Sequence, residues 1–217
     1  MVETQIKQNT FWLWSNAIDF QKRGDVAYWL PASFSAATAH LSRKLSDVAK
    51  LSDVRFNPSQ NPEDKFFYID ISNINTSDGS YEKTEISNAY APSRARKKLE
   101  RFDVIVSTVR PNRNATSLIL EDTDDLVCST GFAVLKAVKI NPFYLFIFTK
   151  TSYFIHQLVR QTSATMYPAV NENDVLNVGV FTPSEKTQQK VEQIVRDAFS
   201  LKKEAEEEYR EAITLLE

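Results

Sequence analysis

A mixed α/β domain followed by one long C-terminal helix is the architecture that the sequence predicts, on three observations. Short runs rich in β-branched and aromatic residues recur between residues 44 and 183, separated by Asn, Asp, Ser and Pro. A segment opened by Pro142 carries apolar residues at helical spacing. Beyond Pro183 neither glycine nor proline interrupts the chain. With 217 residues and 42% hydrophobic content there is enough apolar material for one sizeable domain or two small ones.

Three units are expected in order: an arm or helical lead-in over 1–43, a domain over 44–183, and a long helix over 184–217. The first holds FWLW (11–14) and YWLP (28–31), aromatic clusters suited to packing. In the second, strands are predicted at FFYIDI (66–71), DVIVSTV (103–109), LVCST and FAVLKAV (126–138), and DVLNVGVF (174–181). NTSDGS (75–80) and PNRNATS (111–117) read as turns. PFYLFIFTKTSYFIHQLVR (142–160) reads as a single helix after Asn141. In the third unit Thr182, Pro183 and Glu185 form a T-x-x-E capping box with proline at the first helical position. Val191, Val195, Ala198, Lys202, Ala205, Tyr209, Ala212 and Leu216 then alternate spacings of four and three, a heptad seam broken only at Lys202. Such a seam wants a partner helix and predicts dimerisation through Val191, Val195, Ala198, Ala205, Tyr209, Ala212 and Leu216; the other reading is a helix folded back onto its own domain. A helix of this length makes a rod of about 50 Å.

Several chemistries are excluded. The four glycines are scattered, so there is no G-x-G-x-x-G, no Walker A loop and no G-x-S-x-G elbow. Cys128 is the sole cysteine, which forbids an intrachain disulfide, and His40 and His156 stand too far apart in sequence for a close Cys/His metal cluster. Both histidines read as structural. NPFY (141–144) resembles the Asn-Pro-Pro-Tyr/Phe motif of adenine methyltransferases, but the second proline is missing and no glycine-rich loop precedes it. There is no basic lead followed by an apolar stretch at the N-terminus, and the longest apolar run, FYLFIF (143–148), is far short of a membrane span. A cytoplasmic location is expected.

The formal net charge of -2 hides a strong internal polarity. Residues 81–120 carry eight basic and four acidic side chains, and 131–170 carry four and none. Four acidic residues fill 121–130, and 171–217 is acidic by eleven to six. Fields act over about a Debye length, roughly 8 Å, so a local cationic face suffices to attract a phosphate backbone. SNIN (72–75), SRARKKLERFD (93–103) and STVRPNRN (107–114) interleave Arg and Lys with Asn, Ser and Thr, side chains that bind phosphates and base edges. The candidate DNA-binding residues are Asn73, Asn75, Arg94, Arg96, Lys97, Arg110, Asn112, Arg113 and Thr130. QTSATMYP (161–168), just past a helix end, is placed to line the same surface.

Read in order, these pieces resemble one half of the specificity subunit of type I restriction-modification systems. The resemblance covers about residues 44–200 and rests on KLSDVAKL (44–51), YIDISNIN (68–75), DVIVSTVRP (103–111), STGFAVLK (129–136), PFYLFIF (142–148) and PAVNENDVLNVGVFTP with PSEKTQQKV (168–191). Phe102 stands where that family commonly has glycine. The resemblance implies a target recognition domain followed by a coiled-coil helix, without catalysis or a cofactor in this chain. AdoMet, ATP and Mg would belong to partner modification (methyltransferase) and restriction subunits. Family members usually carry two recognition domains and two helices. A single copy of each implies an antiparallel homodimer on a split, inverted double-stranded DNA target, with centres at most about 15 base pairs apart. Two other readings stand beside it: a DNA-modifying enzyme fragment acting alone, and a coiled-coil interaction protein whose basic face is merely solvated.

Overall fold

The computed structural model describes residues 43–122, 124–162 and 167–216, together with the backbone of a two-residue strand pair, β1 (Ile6–Lys7) and β2 (Thr10–Phe11). The expectations for the N-terminal arm, its tryptophans and His40, and part of QTSATMYP, lie outside the described residues.

The fold is mixed α/β, built as two stacked sheets with helices against one of them. Strands β3 (Arg43–Lys44), β4 (Ala49–Leu51), β5 (Lys65–Ile69), β6 (Thr84–Ser87), β7 (Ala95–Lys98), β8 (Val104–Ser107), β9 (Thr116–Leu118), β10 (Leu126–Ser129), β11 (Phe132–Ala137) and β12 (Gly179–Val180) follow in order. The outer sheet has the order β6-β5-β10-β7, and its β5–β10 pair is parallel. The inner sheet, β4-β11-β8-β9, is antiparallel throughout, and β12 pairs with β3.

Alternation along each strand explains why the runs read as continuously apolar. On β8, Ile105 faces the outer sheet while Val104 and Val106 face the helices; on β11, Phe132 and Val134 do the former, Ala133 and Leu135 the latter. On β10, Leu126 and Cys128 point between the sheets and Val127 points outward against Phe66 and Tyr68. Both faces of these strands are covered, so no polar alternation survives in the sequence. Burial pushes the Cys128 thiol up to about 12.

The helices are α1 (Pro142–Lys150), α2 (Ser152–Gln161), α3 (Glu172–Leu176) and α4 (Glu185–Thr214). Asn141 caps α1, accepting from the Phe143 and Tyr144 amides. The single helix expected over 142–160 is two: Thr151 is extended (φ -76°, ψ 151°), and its hydroxyl caps α2 by accepting from the Phe154 amide. The segment 174–181, expected to be a strand, is α3 followed by the two-residue β12. Asn171 and Asp174 form a reciprocal capping box there that favours a helical turn. The long helix starts at Glu185 on the Ser184 cap, which accepts from the Thr187 amide, so the cap is not Thr182. PNRNATS, expected to be a turn throughout, yields β9 from Thr116 onward.

Phe102 sits in the left-handed region that favours glycine, with φ 70°. A side chain in that region costs about 1–2 kcal/mol, offset here by packing against Phe143 at 5.9 Å and beneath the Arg101 guanidinium at 4.8 Å.

The first half of α4 lies on its own domain. Val195 is buried in the core shared with α1 and α2, and Val191 and Phe199 pack against that core. Gln188 accepts from the Asn141 amide at 2.8 Å, Glu192 accepts from Asn141 Nδ2 at 2.5 Å, and Arg196 lies 4.2 Å over the Phe143 ring. After Lys202 every described residue of the helix is exposed. This corrects the dimerisation set: Val191 and Val195 are consumed within the chain. Ile194, Ala198, Leu201, Ala205, Tyr209, Ala212 and Leu216 form the exposed stripe instead. A heptad seam drifts by only about 20° per heptad on a straight helix, so its frame meets the domain up to Lys202 and solvent beyond it because the domain ends there. No described helix is long and apolar enough to cross a membrane.

Candidate nucleic-acid interface

Four segments converge on one open cleft of about 730 Å³. They are the loop after β5 (Asp70, Ile71, Ser72, Ile74, Thr76), Arg94 at the entry to β7, the turn after β8 (Val109, Arg110, Arg113, Ala115), and Tyr167 with Ala169. The floor is apolar and the rim holds three guanidinium groups against one carboxylate. That carboxylate, Asp70, is occupied as the cap of a short 3-10 turn over Ile71–Asn73, accepting from the Ile71 amide at 2.8 Å.

The β8 turn is held by its backbone. Arg110 N donates to Pro168 O at 2.7 Å, Val170 N donates to Thr108 O at 2.9 Å, and Val109 bridges Ala169. Arg110 and Asn114 both adopt left-handed conformations, φ 49° and 52°, around the short turn Pro111–Arg113. Non-glycine residues stay in such conformations when their surroundings over-determine them, as at ligand-holding turns. The Arg110 guanidinium lies 5.1 Å over the ring of Tyr167, which is 64% exposed. Arg110 is thereby presented in a fixed pose toward the cleft. Arg113 and Asn112 are exposed on the same turn.

The basic stretch 93–103 divides sharply. Arg94 is exposed, lines the cleft and accepts at its carbonyl from the Thr130 amide at 2.9 Å, which brings Thr130 beside it. Arg96 is half-buried and bonded to the carbonyls of Ala95, at 2.7 Å, and Pro92. Lys97 corrects the expectation outright: it is 4% exposed, and its ammonium donates to Phe132 O and to Glu172, each at 2.5 Å. The reason is a bulge between Cys128 and Ser129, which pairs Lys97 with Cys128 and Ala95 with Ser129. Arg96 is the extra residue, so Lys97 shares the inward face of Cys128. Lys98 and Arg101 approach the carboxylates of Asp124 (3.6 Å) and Asp122 (3.8 Å) in the acidic 121–125 loop. Of the five basic residues of this stretch, Arg94 alone lines the cleft.

Lys97→Ala is expected to cost about 3 kcal/mol, because it strands Glu172 and a buried carbonyl. Chemical denaturation reads the loss.

Asn73 and Asn75 hold the loop's shape. Asn73 Oδ1 accepts from the Asp70 amide at 2.8 Å, and Asn75 Oδ1 accepts from the Ser77 amide at 3.0 Å and its hydroxyl at 2.6 Å. Their side-chain oxygens are engaged, while Ser72 and Thr76 on either side of them line the cleft. Neither is among the sequence candidates, although Ser72 belongs to SNIN; Thr76 had no signal beyond adjacency to Asn75. Among the described residues no group of three or more His, Cys, Asp or Glu could hold a metal ion.

Over 77% of its length the chain is similar to the type I restriction enzyme HindI specificity subunit of Haemophilus influenzae, at 24% identity, spanning 34% of that protein. It is also similar in structure to the HsdS subunit of Thermoanaerobacter tengcongensis, with TM-score 0.62 and 34% identity over 77% of this chain and 43% of that one. A chain from a solved type I R-M assembly gives TM-score 0.63 and the same identity and coverage. This chain therefore spans less than half the length of each relative. No family model matches it.

Proposed function

We propose, from the kinship of this chain with type I restriction-enzyme specificity subunits, that it is a DNA sequence-recognition unit in which the arginine cleft meets the duplex. The observation that carries the reading is the convergence of Arg94, Arg110 and Arg113 on one apolar-floored cleft, with Tyr167 bracing Arg110. Arg offers a two-pronged donor to guanine O6 and N7 and a fork to phosphates, and Asn112 on the same turn suits adenine N6 and N7. The unit performs no bond chemistry of its own. Methylation with AdoMet and ATP-driven, Mg-dependent restriction fall to companion modification and restriction subunits.

The matched stretch covers only 34% to 43% of each relative's length, and we read it as one recognition domain with one helix. A second copy, its helix antiparallel along the stripe from Ile194 to Leu216, would supply the other half. Ala198, Ala205 and Ala212 recur every seventh position on that stripe, with Leu201 and Tyr209 between them and Ile194 and Leu216 at its ends, so two such helices can approach closely. If the helices cross at Ala205, the docked midpoints near Val195 lie about 30 Å apart, roughly nine base pairs. That lies within the limit of about 15 set by the whole rod.

Selection from randomised duplexes, with the modification subunit supplied, tests the reading. The expected product is an inverted, split target recovered by wild type and lost by Ala205→Glu, which places a charge at the crossing and shifts sedimentation to monomer. Enrichment of no sequence over scrambled duplex overturns it.

A further inference from the structure

Lys202 breaks the apolar spacing of α4, and its surroundings give the break a purpose. Its ammonium donates to Asp78 Oδ2 at 2.6 Å and Ser80 Oγ at 2.8 Å. Asp78 Oδ1 accepts from the Ser80 amide and hydroxyl, both at 2.8 Å. Burial works against the Asp78 charge, yet the Lys202 and Ser80 donors prevail and hold its carboxyl down at about 2. Glu206 lies 3.7 Å from Lys202 on the helix side.

The loop that receives Lys202 is seated firmly. Gly79 has φ 79°, and a Cβ there would sit 2.6 Å from the Phe146 ring and 2.9 Å from Thr116 O. Its carbonyl accepts from Ser117 Oγ at 2.6 Å. The same loop, over its 70–76 part, forms a wall of the arginine cleft, where Lys150 Nζ donates to Thr76 O at 2.7 Å. One side of the 70–82 loop thus faces the cleft. The other faces a groove of about 650 Å³ lined by Phe199, Lys202, Lys203 and Glu206 of α4.

We propose that Lys202 is a positioning residue that ties the helix to the wall of the arginine cleft, fixing the bearing of the emerging helix relative to the reading surface. In a two-unit assembly that bearing sets the separation and phase of the half-sites. This consequence rests on the DNA-recognition reading, whereas the tie itself does not. Lys202 is the last half-buried residue of α4, and about 20 Å of helix extends beyond it. A swing of roughly 10° there moves the far end by about 4 Å, about one base-pair rise.

The test uses the full chain in four forms: wild type, Lys202→Met, Asp78→Asn, and the exchange Lys202→Asp with Asp78→Lys. Spin labels on cysteines introduced at exposed Ser59 and Arg210, diluted with unlabelled chain, report the helix bearing; native Cys128 is buried and stays unlabelled. A single narrow distance is expected in wild type, a broadened one in both single variants, and narrowing again in the exchange. Unchanged distributions in both single variants overturn the proposal. Duplexes differing by one base pair between half-sites supply the second readout. Wild type is expected to discriminate at least about tenfold, since an extra step must be absorbed by twisting DNA, and Lys202→Met is expected to lose that discrimination while keeping its affinity for a half-site. If no form prefers any duplex, the DNA reading fails and the distance result still decides the tie.

Discussion

Reversing the charge at Arg110 and Arg113 together is expected to weaken binding of the selected duplex by at least about 100-fold, since each lost base or phosphate contact is worth about 1–3 kcal/mol. The two residues sit on one turn whose backbone is held by Pro168 and Thr108, so the turn survives their replacement. The midpoint of thermal unfolding is accordingly expected to move by no more than a few degrees. Fluorescence anisotropy at several salt concentrations separates the contributions. If both side chains meet phosphates, the slope of log affinity against log salt falls by about 2. If one reads a base, the slope falls by about 1 and discrimination against substituted duplexes disappears at one position. Unchanged affinity and slope would remove the cleft as the DNA surface.

Phe146→Ala is expected to cost about 3–5 kcal/mol, a large share of the stability of any single domain. The ring is 2% exposed, contacts Phe199 of α4 at 6.0 Å, and lies directly under Gly79. Its loss leaves a cavity where helix, loop and inner sheet meet, so the docking of α4 and the seat of the 70–82 loop loosen together. Urea denaturation with an unchanged slope reads the stability loss, and faster proteolysis around Phe199 reads the loosening. A cost below about 1 kcal/mol would mean that the helix is not held through this ring.

The elements legible in the sequence were those whose burial leaves a periodic mark. The strands at 66, 104, 126 and 132 and the helix starts after Asn141 and near 184 fall close to expectation, because apolar runs and proline-opened caps are local signals. The misses are places where tertiary contact overrides local preference. ARKK is a strand because it is zipped to β10, and the bulge that turns Lys97 inward is a property of the partner strand's register. Thr151 breaks a helix that apolar spacing alone would continue, since its own hydroxyl offers the backbone a cap. The heptad frame on α4 matched burial at Val191 and Val195 only, and the pattern did not reveal where the domain beneath the helix ends. At the cleft, Arg94, Arg110 and Arg113 were legible as chemistry, but their convergence across more than 15 residues of sequence was not.

The left-handed backbone at Arg110 restricts how this surface can be retargeted. Side chains at 112 and 113 project from ordinary backbone and can be exchanged almost freely, because main-chain bonds hold the turn. Position 110 has a smaller alphabet. Glycine, asparagine and aspartate tolerate a φ of 49°, whereas valine, isoleucine and threonine are strongly penalised. Diversification of the cleft would therefore run through its neighbours first, with arginine at 110 replaced mainly by short amide, carboxylate or hydrogen side chains.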